Sequence, residues 1–189
     1  MKFQVVVYQA RFFDGTIIDN GISLHTGFWN GLGWFIRYPK EFFKTLKLLL
    51  YRIAHIEIRR LDTGECFTST MRGDNNGTVI RHEKDVLTDK TRWKAITLEV
   101  EDSIFNYAWE NAKQEAMNNK GYDKKCIGGF FLPWRLHSIY KNICSEAVQK
   151  FLKWCGFFRS YHVWSPLRLV WKILRLDESY KLEDIQKDS

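Results

Sequence analysis

The chain has 189 residues, of which 45% are hydrophobic and 16% aromatic, with 12 glycines and 3 prolines. This composition is typical of a folded globular protein and excludes the disordered, collagen-like and low-complexity classes. The net charge is +7, but residues 177–189 contain five acids and two bases and carry −3, which leaves +10 on residues 1–176. We expect one domain over 1–176 and a frayed acidic tail over 177–189.

The positive charge of the body favours anionic partners, such as a lipid surface. The basic residues do not form one block, so a solvated surface is the simpler interpretation and no specific nucleic-acid contact is expected. A basic, aromatic segment, Trp29–Arg52, is the part that we expect to touch either an anionic surface or a substrate. The sequence leaves the oligomeric state open.

Strands and helices alternate along the chain without a strict β-α-β order, which predicts an α+β fold. Alternating or β-branched segments predict strands at 3–12, 54–60, 65–71 and 92–100, the second and third joined by a turn at 62–64. Apolar residues at helical spacing predict helices at 39–53, 104–119, 143–156 and 165–176. Pro39 is expected to open the first of these helices, Ser103 to cap the second, and Gly121 and Gly156 to end the second and third.

The four cysteines, Cys66, Cys126, Cys144 and Cys155, form no CxxC pair and no cluster with histidine. A structural zinc site is therefore not expected, and neither is any other metal or cofactor. Reduced thiols suit a cytoplasmic protein. The N-terminal residues lack the apolar core of a signal peptide, and the most apolar later stretch is too short to cross a bilayer.

Cys144 stands at the predicted start of a helix, in the sequence NICSEAV. The unpaired N–H groups and the positive dipole end of a helix start stabilise a thiolate, which is the reactive form of cysteine. A thiol nucleophile also needs a base, which is usually histidine. Of the five histidines, His55 is the best placed, because it opens the alternating strand HIEIR, where Glu57 shares its face. A cysteine and a histidine on separate elements also occur as purely structural residues.

Three segments together resemble the circularly permuted branch of the NlpC-type papain-like superfamily, which includes cell-wall amidases, peptidases and relatives of lecithin–retinol acyltransferase. The segments are AHIEI, CFTSTMRGDNNGTVIR, and GYDKKCIGGFF leading to NICSEAV. The resemblance covers about His55 to Gly156 and is greatest for small phage and bacterial members. It departs from the family pattern at Cys126, where relatives have glycine sooner, and in the long aromatic segment before His55.

The resemblance implies a permuted papain-like fold, in which an antiparallel sheet packs against the helix that carries the cysteine. It implies a hydrolase with Cys144 as nucleophile and His55 as base, acting on a peptide or other amide, with peptidoglycan peptide as the leading class. The third catalytic residue would be Glu57, with Thr70 and Ser69 as alternatives, and a two-residue turn would place Glu57 opposite Thr70. Tyr122, Asp123 and Ser145 would line the cleft.

Two other functions remain open at this stage. A member of the same superfamily could act on lipid esters or transfer acyl groups, and a papain-like module without catalytic activity could bind a host protein. If the chain is encoded by a phage, the compartment would be the cytoplasm of the bacterial host. The intact Cys144 and His55 favour the enzyme.

Overall fold

The computed structural model describes residues 1–10, 52–71, 75–119, 121–123, 142–160 and 164–185. These residues form an α+β structure with a six-stranded antiparallel sheet and four helices. The strands are β1 (Lys2–Gln9), β2 (Ile53–Arg60), β3 (Glu65–Thr70), β4 (Gly77–His82), β5 (Trp93–Glu99) and β6 (Glu183–Asp184). The helices are α1 (Glu83–Val86), α2 (Asp102–Met117), α3 (Cys144–Trp154) and α4 (Pro166–Ile173).

The sheet has the strand order β4-β3-β2-β1-β5-β6, so the apolar strand β1 lies between β2 and β5. Val5 pairs with Ile58 and Val7 with Ile56, which aligns the β-branched side chains of the two strands on one face. Gly64 takes a left-handed conformation with φ 69°, which a glycine adopts without strain, and so closes the turn between β2 and β3.

The two faces of the sheet are covered by different parts of the chain. We call the face that carries Val5, Val7, Ile56 and Ile58 the helical face, because apolar residues of α2, α3 and α4 pack on it. The residues on the other side, which we call the reverse face, form a smaller apolar cluster with α1 and the C-terminal segment. Its buried members are Val6, Cys66, Val86, Leu87, Trp93, Ala95 and Ile185.

Phe151 of α3 lies at the centre of the main core and is fully buried. Its ring is 5.6 Å from that of Phe3, 5.8 Å from those of Phe105 and Trp109, and 6.1 Å from that of Phe67, measured between centroids. One aromatic side chain therefore joins α3 to β1, β3 and α2. The apolar stripe of α3 explains why the cysteine-bearing helix lies against the sheet.

Several predicted elements are confirmed and several boundaries are corrected. Helix α3 is followed by Gly156 with φ 85°, as expected. Ser165, which was not predicted as a cap, caps α4 by accepting the N–H of Arg168. Ser103 does not cap α2, because the helix begins at Asp102, two residues earlier than predicted, and its N-cap Glu101 makes no side-chain cap bond. Met117 ends α2, four residues before Gly121.

Two further corrections concern the sheet. Strand β4 is not among the strands predicted from the sequence, and Ile53, expected to end a helix, begins β2. The remaining residues of that predicted helix, like most of the segment Trp29–Arg52, lie outside the described residues. Part of the acidic tail does not fray, since β6 pairs with β5 and Asp184 forms an ion pair with Lys94.

Among the described residues, no helix has the length and apolar character that crossing a bilayer requires.

Replacing Phe151 with alanine should lower the free energy of unfolding by about 3–5 kcal/mol, because the substitution leaves a cavity between α3 and the three elements that the ring contacts, β1, β3 and α2. Urea denaturation followed by tryptophan fluorescence measures this change. Tyr107→Ala on α2 removes an aromatic side chain that is 62% exposed and serves as the control, with a loss of under about 1 kcal/mol. Equal losses in the two variants would contradict the central position of Phe151.

Candidate functional site

Cys144 is the first residue of α3 and is only 3% exposed. The preceding Ile143 is extended (φ −94°, ψ 169°), and its side chain has no polar atom with which to cap the helix. The buried carboxylate of Glu146 instead accepts the N–H of Ile143 at 2.8 Å, which supplies half of a capping box. The position of Cys144 at the helix start is as the sequence predicts, and the residue is buried in the apolar cluster of the helical face.

Asn142, two residues before Cys144, is held by side chains and backbone from several elements. Its carbonyl accepts the hydroxyl of Ser69 at 2.9 Å and the N–H of Asp123 at 3.2 Å. Tyr122 forms a parallel bridge with Asn142. Ser69, Tyr122 and Asp123, all named from the sequence, therefore lie next to the segment that leads into the cysteine helix, and all three are buried.

Ser145 follows Cys144 but is 1% exposed, and its hydroxyl donates to the carbonyl of Trp164 at 2.5 Å. Its side chain thus links α3 to the segment before α4. The expectation that Ser145 lines a cleft is wrong for this arrangement, because its hydroxyl makes a structural bond in the protein interior.

His55 lies on the reverse face of the sheet, away from the helix of Cys144. It pairs with Tyr8 of β1, and its ring meets that of Trp93 edge to face at a centroid distance of 6.4 Å. The adjacent Ile56 packs on the helical face in the same apolar cluster as Cys144. Because neighbouring residues of a strand point to opposite faces, His55 cannot share a face with that cluster. The expected contact between His55 and Cys144 is therefore not formed.

A bulge next to His55 fixes this orientation. Gln9 pairs with Ile53 and Tyr8 with His55, so that Ala54 is the additional residue of β2. Such a bulge changes the phase of the alternation along one strand. Beyond it, Ile56 and Ile58 both reach the helical face and are fully buried, which leaves the reverse face for His55 and Glu57.

Glu57 is the hydrogen-bond partner of His55, as the alternation predicts. Its Oε1 atom is 2.9 Å from Nε2 of His55 and accepts a second bond from Arg81 of β4 at 2.7 Å. Since a carboxylate only accepts, Nε2 carries the ring proton in this bond. The side chains of Glu57 and His55 are 0% and 6% exposed. The three residues form a buried charged cluster, which we call the His55–Glu57–Arg81 cluster.

The pairing expected between Glu57 and Thr70 is wrong, because the turn after β2 spans residues 61–64 and is longer than the two-residue turn assumed. Ile58 pairs with Phe67 and Thr70 with Gly77, so Glu57 lies two residues further from the end of β3 than expected. Ser69 points to the helical face and bonds to Asn142, so it does not contact the imidazole of His55.

A cavity of about 780 Å³ adjoins the His55–Glu57–Arg81 cluster on the reverse face. Its walls include Glu57, Arg81, Asp85, Arg92 and Trp93. Within the part of the chain that the structure describes, Oε2 of Glu57 and Nε of Arg81 have no hydrogen-bond partner, although both atoms are buried. Arg81 was not predicted, because β4 is not among the strands predicted from the sequence. The run of β-branched residues Thr78, Val79 and Ile80 was the signal that could have found this strand.

Cys66 and Cys155, the other two cysteines among the described residues, have environments unlike the start of a helix. Burial raises the pKa of the Cys66 thiol well above its ordinary value, and the nearby charge of Glu57 adds to the effect. Burial also raises the pKa of Cys155 to about 12. Both thiols are therefore protonated near neutral pH and unreactive.

His82 is the other histidine that the structure describes, and it caps α1 by accepting the N–H of Lys84 at 3.2 Å. His25, His137 and His162 lie outside the described residues, as does Cys126. The described residues contain no group of three or more histidine, cysteine or acidic side chains suited to a metal ion.

No family model, no curated protein and no solved structure matches this chain. The site must therefore be interpreted from its own geometry.

Alkylation of the native protein by iodoacetamide at pH 8 should leave Cys66 and Cys155 almost unmodified, since their raised pKa values keep the thiolate fraction small. Cys144 should be modified at least tenfold faster than either. Peptide mass spectrometry in a Cys126→Ser background measures each rate, and the urea-unfolded protein is the control in which all three should react alike. Modification of Cys155 at the rate of Cys144 would contradict this assignment.

Removing the charge of Arg81 alone should destabilise the protein more than removing the charges of both Arg81 and Glu57. Arg81→Met leaves the buried Glu57 carboxylate without its cation and should lower the free energy of unfolding by about 3–5 kcal/mol. Adding Glu57→Gln should recover at least about 1 kcal/mol of that loss. Urea denaturation of both single variants and the double variant measures the coupling, and strictly additive losses would contradict a mutual dependence.

Proposed function

We propose that this chain is a cysteine hydrolase in which the thiolate of Cys144 attacks the carbonyl of an amide. The observation that carries the proposal is the placement of Cys144 at the first position of α3, with buried polar groups next to it on the helical face. All three described thiols are buried, but only Cys144 stands at a helix start, which is the position that favours a thiolate, whereas burial raises the pKa values of Cys66 and Cys155.

The reaction would proceed through an acyl-enzyme. The sulfur of Cys144 forms a bond to the carbonyl carbon, the amine leaves with a proton, and water then releases the acid and restores the thiol. The backbone N–H groups at the start of α3 would help to stabilise the oxyanion. A permuted papain-like fold is the finer architecture that accompanies this proposal, and the resemblance of the three sequence segments supports it.

A peptide amide is the substrate class that we favour, and peptidoglycan peptide is the leading example by that resemblance. A lipid ester or acyl transfer is the alternative within the same chemistry, because a thiolate attacks either carbonyl. A chromogenic peptide anilide and a matched acyl ester with the same acyl group would separate these classes by their relative kcat/KM values.

The assignment of the base needs its own experiment, because His55 lies on the reverse face.

A second function, a binding module without thiol chemistry, is favoured by the position of His55 on the reverse face. In that function the His55–Glu57–Arg81 cluster and its cavity would serve to bind a host protein, and Cys144 would be a buried structural cysteine.

Turnover of p-nitrophenyl acetate separates the two functions. The hydrolase should form an acetyl-thioester on Cys144, detectable by mass spectrometry, and Cys144→Ala should abolish both the thioester and its turnover. No thioester on wild-type Cys144, with release of p-nitrophenol no faster than in Cys144→Ala, would favour the binding module.

Two histidine variants test the base. His55→Gln keeps a donor for Glu57 and His82→Gln serves as the matched control on β4. A loss of 10²-fold or more in the first variant alone would show that His55 reaches the thiol during turnover, since general bases contribute about 10²–10⁴-fold. Losses of only a few-fold in both variants would assign the base to another group.

A further inference from the structure

We propose that Ser69 and Asn142 are positioning residues for the thiol of Cys144. The inference rests on the proposed function and names residues that would tune its nucleophile without touching the substrate. The sequence suggested Ser69 as an alternative third catalytic residue that would contact the ring of His55. In the structure its hydroxyl instead donates to the carbonyl of Asn142.

Asn142 receives or donates four hydrogen bonds, each to a different part of the fold. Its carbonyl accepts from Ser69 of β3 and from the N–H of Asp123. Its side-chain amide donates to the hydroxyl of Thr78 on β4 and to the carboxylate of Glu115 on α2, both at 3.2 Å. The residue two positions before the nucleophile is thus fixed to two strands, one helix and the segment around Asp123.

The anchoring continues into α3 itself. The carboxylate of Glu115 also pairs with Lys150, one turn and a half along α3, at 3.1 Å. Ile143 lies between Asn142 and Cys144, and its N–H is bound by Glu146. Asn142 and Ile143, the two residues before α3, therefore each have at least one bond that opposes movement of the backbone.

This anchoring matters chemically because the thiolate depends on an ordered first turn. The N–H groups and dipole of a helix act on a charge only over that turn and only while it is formed. If the carbonyl of Asn142 lost the Ser69 hydroxyl, the first turn of α3 would fray more readily. The pKa of the Cys144 thiol should then rise, and its reactivity at neutral pH should fall.

Strand β3 provides a matched control. Thr68, adjacent to Ser69, is also fully buried and also donates its hydroxyl to a backbone carbonyl, that of Ile56 at 2.9 Å. It points to the reverse face, because neighbouring strand residues alternate. Ser69→Ala and Thr68→Val each remove one buried hydroxyl from the same strand, but only the first releases Asn142.

The test measures the rate of iodoacetamide modification of Cys144 from pH 5 to 10, in a Cys126→Ser background, with Cys155 as an internal standard. Ser69→Ala should raise the apparent pKa of Cys144 and slow its modification at pH 7 by at least threefold. Ser69→Thr, which keeps the hydroxyl, should restore the wild-type pH profile. Thr68→Val should leave that profile unchanged. Melting temperatures of all variants show how much stability each has lost.

Glu115→Ala is a milder variant for the case in which Ser69→Ala does not fold, because the Glu115 side chain is 33% exposed. It removes one of the two bonds of the Asn142 amide, leaving that to Thr78, and should shift the pH profile in the same direction by a smaller amount. Lys113→Ala, on the same helix, removes a charge with no bond to Asn142 and should have no effect.

The outcomes separate this inference from the proposed function. A wild-type Cys144 as slow as Cys155 would overturn the proposed function. A reactive wild-type Cys144 whose pH profile is unchanged in both Ser69→Ala and Glu115→Ala would overturn the inference alone. Equal shifts in Ser69→Ala and Thr68→Val would also overturn it, because a general loss of stability would then explain both.

Discussion

The alternation of side chains along β2 decides which chemical groups can meet in this protein. Ile56 and Ile58 are fully buried under α3, and each contributes about 1.5–3 kcal/mol by leaving water. A shift of one residue would move both isoleucines to the reverse face and place His55 and Glu57 against the apolar side chains of the helices, where buried polar groups without partners are costly. The alternation along this one strand therefore decides that the His55–Glu57–Arg81 cluster lies on one face of the sheet and Cys144 on the other.

Cys144 and the His55–Glu57–Arg81 cluster are thus separated by a single layer of sheet. By extension of the β2–β3 register, His55 lies near the end of β3 that carries Ser69 and Thr70, so it is near Cys144 along the sheet but separated from it by the backbone. Each face of the sheet has its own buried polar residues. Strand β3 contributes one buried hydroxyl to each face: Ser69 to the helical face and Thr68 to the reverse face. The sheet thus separates the thiol of Cys144 from the imidazole of His55.

Much of this architecture can be predicted from sequence, because it depends on local periodicity. The three valines of β1, the turn at Gly64, the start of α3 and the helix α4 all follow from short patterns. Strand β4 was missed because the asparagine- and glycine-rich residues before it indicated a loop. The start of α2 was misplaced because Ser103 is a better cap by type than Glu101, which has no side-chain cap here.

The face of His55 could not be predicted from alternation alone. Alternation places His55 with Glu57, which is confirmed, but it does not say which face the helices cover. The burial of Ile56 and Ile58 decides that question, because α3 packs on the more apolar side. The partner of Glu57 on β4, Arg81, is 24 positions away and depends on a long-range register that no local pattern contains.

The short strand β6 protects part of the outer edge of the sheet. An open strand edge is a template for the edge of another molecule, and proteins protect such edges with short, charged strands. Glu183 and Asp184 are both exposed, pair with the outer edge of β5, and place two negative charges where a second sheet would have to dock. The acidic segment therefore covers part of the outer edge of β5, at Lys94 and Ala95, with charged residues that oppose pairing with a second sheet there.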